Sequence, residues 1–261
     1  MEKRYHGDSP GTLYVVGTGP GGADYLTFGA ANALNSAEII IGYRTYLDLI
    51  TDLLSPEQEL LSSAMMQEID RCRHALASAE SGKKIVLICG GDPGIYAMAG
   101  LVYELAQVQG SSCRIEIIPG IAALNACAAV LGAPLMHDFA VISLSDLMTP
   151  QSLIEQRLHA AASADFVIAL YNPKSVRRTE QIVRARDILL EHRPDTVPVG
   201  IVSGAGRSHE SVCLTDIRRM LESDIGMQTT VLIGNSRTFV FQGKMITPRG
   251  YADKYGLAAA K

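Results

Sequence analysis

No apolar run in the chain reaches the ~20 residues that a membrane-spanning helix needs. Residues 1–11 are short of apolar side chains and do not read as a signal peptide. Cysteine is scarce and unpatterned: Cys72, Cys89, Cys113, Cys127 and Cys213 are odd in number and form no CxxC pair. Most stand in apolar stretches such as Val86-Leu87-Ile88-Cys89, which reads as buried, reduced thiols in a cytoplasmic protein. Charge is thin, at 19% of residues, with 27 acidic against 23 basic side chains. This lacks the basic excess that displaces counterions from phosphates, so tight non-specific binding to nucleic acid is not expected. His6, His74, His159 and His192 have no metal-ligand spacing, so no dedicated protein metal site is expected. There is no nucleophile in a G-x-S-x-G or Cys–His setting, no short-period repeat and no low-complexity tract.

What is present is enough apolar material, 48% over 261 residues, for one large or two ordinary domains. Short apolar runs closed by glycine predict strands at 12–16, 38–42, 85–89 and 114–118. Helical spacing predicts helices over 26–37, 65–81, 98–109 and 121–131. Gly132-Ala133-Pro134 is the linker candidate, and the alternation then resumes. Strands are predicted at 140–144, 165–171, 197–203, 229–233 and 239–242, with helices over 151–162, 179–192 and 214–222. This pattern predicts an α/β fold with mostly parallel sheets covered by helices, in two units. The expected division is 1–131, 135–247 and a frayed tail over 248–261.

Three loops carry the functional signal. Gly17-Thr18-Gly19-Pro20-Gly21-Gly22 satisfies G-x-G-x-x-G after a strand, the form of a dinucleotide fingerprint. Two features oppose that reading. Pro20 removes an N–H from a loop meant to cradle pyrophosphate. The acid expected at the end of the second strand is instead Glu38 at its start, and the strand ends at Gly42-Tyr43-Arg44. A tight strand-to-helix turn explains the glycines equally well. The second loop is Gly90-Gly91-Asp92-Pro93-Gly94-Ile95-Tyr96. Asp92 stands at the carboxyl edge, where open α/β sheets take ligands. It also suits an N-cap, with Pro93 at the first helical position. The third loop is Pro119-Gly120-Ile121-Ala122-Ala123. Three such loops at three strand ends predict one lined edge of one sheet.

These motifs identify a resemblance. Val16-Gly17-Thr18-Gly19-Pro20-Gly21 with Leu26-Thr27, then Gly90-Gly91-Asp92-Pro93, then Ile118-Pro119-Gly120-Ile121 resemble the tetrapyrrole methylases, over roughly residues 12–247. Ile41-Gly42-Tyr43-Arg44-Thr45-Tyr46, His137-Asp138-Phe139, 142–147, 170–175 and 203–207 are similar to the ring-contracting, carbon-17 branch of that family. Gly22-Ala23-Asp24 and Ala122 depart from common family residues; Ala122 removes one hydroxyl from the cofactor pocket.

The resemblance implies two α/β domains with S-adenosylmethionine in the cleft between them, a homodimer, and a precorrin or cobalt-precorrin substrate. Carried over by position, cofactor contacts fall on Pro20, Gly90, Gly91, Asp92, Ile95, Ala122, Ala123, Asn172, Ala205 and Thr230, with Tyr171 and Thr229 beside them. A substrate fringed with carboxylates calls for cations and aromatic surface: Tyr43, Arg44, Lys174 and Arg207, with Tyr46, Arg177, Arg178 and Arg237 as further candidates. Ring contraction also moves protons, for which His137 and Asp138, and less directly His209, are candidates. The competing readings are a methylase of ribosomal RNA or protein, a nicotinamide oxidoreductase, and a cofactor-binding module without catalysis. The acidic balance and the branch-specific stretches oppose the first; Pro20 and the misplaced acid oppose the second.

Overall fold

The computed structural model describes residues 11–63 and 67–256. Residues 64–66 and 257–261 lie outside it, and with them the first residues of the helix expected from 65 and the end of the expected tail. The chain divides into two compact units, Met1–Ala123 and Leu124–Lys261.

In the first unit, β1 (Thr12–Gly17), α1 (Phe28–Ser36), β2 (Ile39–Tyr43), α2 (Arg44–Asp48), β3 (Glu59–Ser63), α3 (Glu68–Glu80), β4 (Lys84–Cys89), α4 (Ala99–Gln109) and β5 (Arg114–Ile118) follow one another. The strands form one sheet in the order β3-β2-β4-β1-β5. Every pairing is parallel. Helices cover both faces, which is why the central strands read as unbroken apolar runs. Leu13, Val15, Ile85 and Leu87 pack with Leu76 of α3 and Val102 of α4. The alternate residues Val16, Val86 and Ile88 pack with Ala30 and Leu34 of α1. Leu87 is fully buried, so truncating it to alanine costs about 2–5 kcal/mol. Thr27 caps α1 by accepting the Ala30 N–H at 3.1 Å.

The second unit carries α5 (Ala123–Leu131), β6 (Gly132–Ala133), β7 (Phe139–Ser143), α6 (Gln151–Ser163), β8 (Val167–Tyr171), α7 (Glu180–His192), β9 (Pro198–Ser203), β10 (Ser211–Asp216), β11 (Thr229–Ile233), β12 (Phe239–Phe241), β13 (Lys244–Ile246) and α8 (Tyr251–Tyr255). Its main sheet runs β10-β9-β11-β8-β7. β7 and β8 are parallel. β11 is inserted antiparallel between β8 and β9, and β10 pairs antiparallel with β9. The parallel character expected from the alternation thus holds throughout the first sheet and for the β7–β8 pair of the second, while a small third sheet, β12-β13-β6, pairs β13 with β6 in parallel. Helices α6 and α7 cover one face through Ile154, Leu158, Ile182 and Ile188. Leu124, Cys127 and Leu131 of α5 cover the other, against Ala169, Val202 and Leu232.

Three local differences from the sequence reading stand out. Residues 123–131, placed with the first domain, bury their apolar face on the second sheet, and Gly132-Ala133 is a short strand paired with β13. The helix expected over 214–222 is instead the end of β10 followed by a short turn at Met220–Glu222. Asp216 ends that strand: its carboxylate accepts the Arg219 N–H at 2.9 Å, a local bond that competes with helix continuation. The third is β3, which the sequence did not mark. Among the described residues, no helix is long and apolar enough to cross a membrane.

Candidate functional site

Strands β4, β1 and β5 are neighbours, with Gly17 beside Cys89 and Val16 beside Ile118. The loops that leave their carboxyl ends are therefore adjacent, as expected. Their main chains touch. Gly19 and Gly91 exchange two backbone hydrogen bonds, at 3.2 and 2.7 Å. Thr18 donates its N–H and its hydroxyl to the Cys89 carbonyl, at 2.9 and 3.1 Å. A Cβ on Gly120 would lie 2.2 Å from the Gly91 oxygen and 2.8 Å from the Gly17 carbonyl carbon. No side chain fits there, so glycine is required by close approach of three backbones. Gly91 is required for another reason: its φ is +69°, and a Cβ there would meet nothing nearer than Ala123 N at 3.6 Å.

Asp92 binds the second loop to the third. One carboxylate oxygen accepts the Gly94 N–H at 2.8 Å and the other accepts the Gly120 N–H at 3.2 Å. The expected N-cap role is not seen, because α4 starts at Ala99 with Met98 at its cap. Pro93 is buried in the loop instead of opening the helix. Beyond it, Ile95 and Tyr96 are 39% and 54% exposed, and Tyr96 holds φ at +52°. A non-glycine residue in that region costs about 1–3 kcal/mol and often marks a functional loop. Pro20 is buried and Gly90 half-buried, and a Cβ on Gly90 would strike the Tyr46 ring at 2.5 Å. Ala122 is buried and Ala123 half-buried at the end of the third loop.

The dinucleotide reading finds no support here. A short 3-10 turn at Ala23–Tyr25 follows the first loop, and α1 starts only after Thr27. The loop has no helix N-terminus to aim at a pyrophosphate. Glu38 accepts the Lys84 N–H at 2.9 Å, a bond at the amino end of the sheet.

In the second unit, the expected residues also share one sheet edge. β11 places Thr229 opposite Ser203 and Thr230 opposite Val202, and its Val231 lies opposite Leu170 of β8. The amino end of β11 therefore stands beside the carboxyl ends of β8 and β9, near Tyr171, Asn172 and Ala205. Thr229 Oγ1 is 2.6 Å from Ser203 Oγ and accepts the Gly226 N–H at 3.0 Å. Asn172 holds φ at +50° and donates from Nδ2 to Ser143 Oγ at 3.0 Å. The Tyr171 hydroxyl accepts the Leu124 N–H at 2.7 Å. Ala205 is buried in a loop turned by Gly204, whose φ is +59°. Ser143 and Ser203 stood in the branch-specific stretches of the sequence but carried no role there; each ends a strand at this edge.

The candidate cations are placed differently from one another. Arg44 is exposed at the start of α2, beside Tyr43, whose ring meets Tyr46 edge-on at 5.6 Å. Lys174 and Arg207 are half-buried in the loops after β8 and β9. Arg178 points one guanidinium nitrogen at Met227 Sδ, at 3.6 Å, and buries Nη1 without a partner. Arg237 is spent on Asp253 at 2.6 Å. His137 and Asp138 are exposed, and the Asp138 N–H donates to His137 Nδ1 at 2.8 Å. His209 is 3.0 Å from Gln228 Oε1.

Two thiols near these edges are unsuited to nucleophilic work. Burial pushes Cys89 and Cys127 each up to about 11. One group with no spacing signal emerges from packing: His159, Glu191 and His192 bring three ligand atoms within 4.8 Å of one another.

The edge of the first unit thus presents the loop at 121–123, the half-buried Asp92 and the exposed Ile95 around backbone already tied together by the Gly19–Gly91 bonds.

A family profile described as tetrapyrrole (corrin/porphyrin) methylases matches residues 12–220. The chain is 50% identical over 251 residues to a "Cobalt-factor III methyltransferase" of Priestia megaterium, covering 95% of this chain but 46% of that relative. It thus spans about half the length of that protein. It is 45% identical to a "Probable cobalt-factor III C(17)-methyltransferase" of Salmonella typhimurium, covering 92% of this chain and 99% of the relative. The crystal structure of the methyltransferase CobJ superposes with a TM-score of 0.85 at 34% identity, covering 91% of this chain and all of that one.

Proposed function

The chain belongs to the tetrapyrrole (corrin/porphyrin) methylases, and on that premise we propose that it transfers the methyl group of S-adenosylmethionine to carbon 17 of precorrin-3B or its cobalt-bound counterpart, with ring contraction, in cobalamin biosynthesis. The relatives named for cobalt-factor III support the cobalt-bound ring. The observation that carries the reading is the fusion of the loops after β4, β1 and β5 into one backbone surface, tied by the Gly19–Gly91 bonds and by Asp92.

When bound, S-adenosylmethionine supplies an electrophilic methyl on a sulfonium, so the donor carries the activation. The protein's work is then placement, which suits rigid glycine loops. Gly90, Gly91, Asp92, Ile95, Ala122 and Ala123, with Pro20, are assigned to the cofactor. In the second unit, Tyr171, Asn172, Ala205, Thr229 and Thr230 are assigned to it as well. Tyr43, Arg44, Lys174 and Arg207 are assigned to the macrocycle and its carboxylates. His137 and Asp138 are assigned to the proton transfers of contraction. We further propose a cytoplasmic homodimer, which light scattering on the purified protein tests directly.

The decisive experiment incubates pure protein with methyl-labelled S-adenosylmethionine and either the metal-free or the cobalt-bound macrocycle. Label at carbon 17 of a contracted ring is expected. Label in neither macrocycle overturns the proposal, and label at another carbon reassigns the branch.

A further inference from the structure

We propose that His159, Glu191 and His192 form a binding site for one divalent first-row transition ion, zinc by preference, which links the C-terminal turns of α6 and α7. His159 Nδ1 lies 3.0 Å from His192 Nε2 and 3.9 Å from Glu191 Oε2. The two rings meet edge-on, at 5.3 Å between centroids and 81° between planes. A tetrahedral zinc ion with bonds of ~2.0–2.1 Å separates two ligand nitrogens by ~3.3 Å. The pair therefore needs to open by only a few tenths of an ångström. Two imidazoles and one carboxylate are a familiar zinc set, leaving the fourth position to water.

The surrounding structure fixes this group in advance. Arg193, directly after His192, is buried, and its guanidinium donates to the carbonyls of Gly234 at 2.6 Å, Phe166 at 2.5 Å and Ala161 at 3.3 Å. Ala161 is two residues beyond His159. The end of α7 is thereby held to the end of α6 by bonds that do not involve the candidate ligands. Arg184 and Glu155, 3.2 Å apart, join the same helices further toward their amino ends. His192 is the last residue of α7, where the helix dipole favours a cation. The group lies toward the amino ends of β8 and β9, which follow α6 and α7, opposite the edge formed by Tyr171, Ser203 and Thr229.

The test titrates Zn2+ into the full chain by calorimetry, in a Cys213→Ser background that removes the one cysteine exposed among the described residues. One ion per chain is expected. His159→Gln and His192→Gln should each weaken binding by more than the ~10–100-fold that loss of an outer-shell partner costs; Glu191→Gln should weaken it less. Co2+ bound in place of Zn2+ should show d–d bands of a nitrogen and oxygen site. Zn2+ should raise the melting temperature of the parent and leave that of the double histidine variant unmoved. The ligands are exposed or half-buried, so the metal-free variants should melt with the parent. No Zn2+ taken up, or uptake unchanged in the double histidine variant, would mean that the rings form a hydrogen bond only.

Discussion

Gly120→Ala is the sharpest probe of the fused loops. The added methyl would sit 2.2 Å from the Gly91 oxygen and 2.8 Å from the Gly17 carbonyl carbon. Both obstacles are backbone, so neither can swing aside like the end of a side chain. Overpacking costs about 1–3 kcal/mol, and a backbone obstacle belongs at the upper end. Pushing Gly91 away also strains its two bonds with Gly19, worth about 1 kcal/mol each. Alanine recovers about 0.4–1 kcal/mol by restricting the unfolded chain. The net loss is about 4–5 kcal/mol, or a fall in melting temperature of roughly 8–20 °C. Gly22→Ala is the matched control. It lies in the first of the three loops, its φ is −60°, and a Cβ there meets nothing within 4 Å. That variant should melt with the parent or slightly above it. Calorimetry with S-adenosylhomocysteine completes the test: Gly120→Ala should lose at least tenfold in affinity and Gly22→Ala should lose none. Equal melting and equal affinity for the two variants would refute the fused-loop reasoning.

Asp92→Ala removes the acceptor of both the Gly94 and Gly120 N–H groups, whereas Asp92→Asn keeps one acceptor oxygen. Bonds to a charged acceptor are worth about 1.5–3 kcal/mol, so the alanine variant should bind S-adenosylhomocysteine at least tenfold more weakly and the asparagine variant should fall between it and the parent. Equal losses in both would shift the role of Asp92 from holding loops to meeting the ligand's charge. Burial pushes Cys72 up to about 12 and Cys89 and Cys127 to about 11. At mild alkaline pH a thiol reagent should therefore label Cys213 quickly and these three only after denaturation; fast labelling of any of the three would contradict the packing. Glu80 accepts hydrogen bonds from Ser111, Ser112 and Cys113, which hold its carboxyl below the ordinary glutamate value. A lowered folded value means stability present above the ordinary glutamate range and lost as pH falls through the lowered one. Denaturant melts from about pH 6 to about pH 3 should show a shallower acid loss in Glu80→Gln than in the parent; identical slopes would remove Glu80 from the acid limb.

The elements legible in the sequence were those whose local pattern and tertiary role agree. The central strands of the first sheet are covered on both faces, so burial alone writes them as apolar pentads such as Ile85–Cys89. β3 was not legible, because Glu59-Leu60-Leu61-Ser62-Ser63 is an edge strand with few β-branched residues. Gly132-Ala133-Pro134 read as a break because glycine and proline mark a linker and a short edge pairing with the same letters. The glycine loops were legible as a set, since each follows a clear strand. The physical reason for Gly120 was not: only tertiary neighbours reveal that its missing Cβ would strike Gly91. His159 and His192 are 33 positions apart, and no spacing rule connects them until two helices pack.

The second sheet shows why the edge rule needs topology as well as order. Strand–helix alternation suggests that loops at carboxyl ends make the site. That holds for β8 and β9, which α7 connects, but β11 enters between them running the other way. Its amino end, not its carboxyl end, reaches the shared edge. Thr229 and Thr230 therefore stand beside Ser203 and near Tyr171 as side chains of a paired strand, held by the ladder with β9, while pairing with β8 begins one residue on at Val231. A loop residue there would be freer to move. The inserted strand thus converts two positions of the edge from loop to sheet and stiffens it where Asn172, at positive φ, and the turn at Gly204 already constrain the backbone. Rigidity of this kind is what placement chemistry asks of a protein whose reagent carries its own activation.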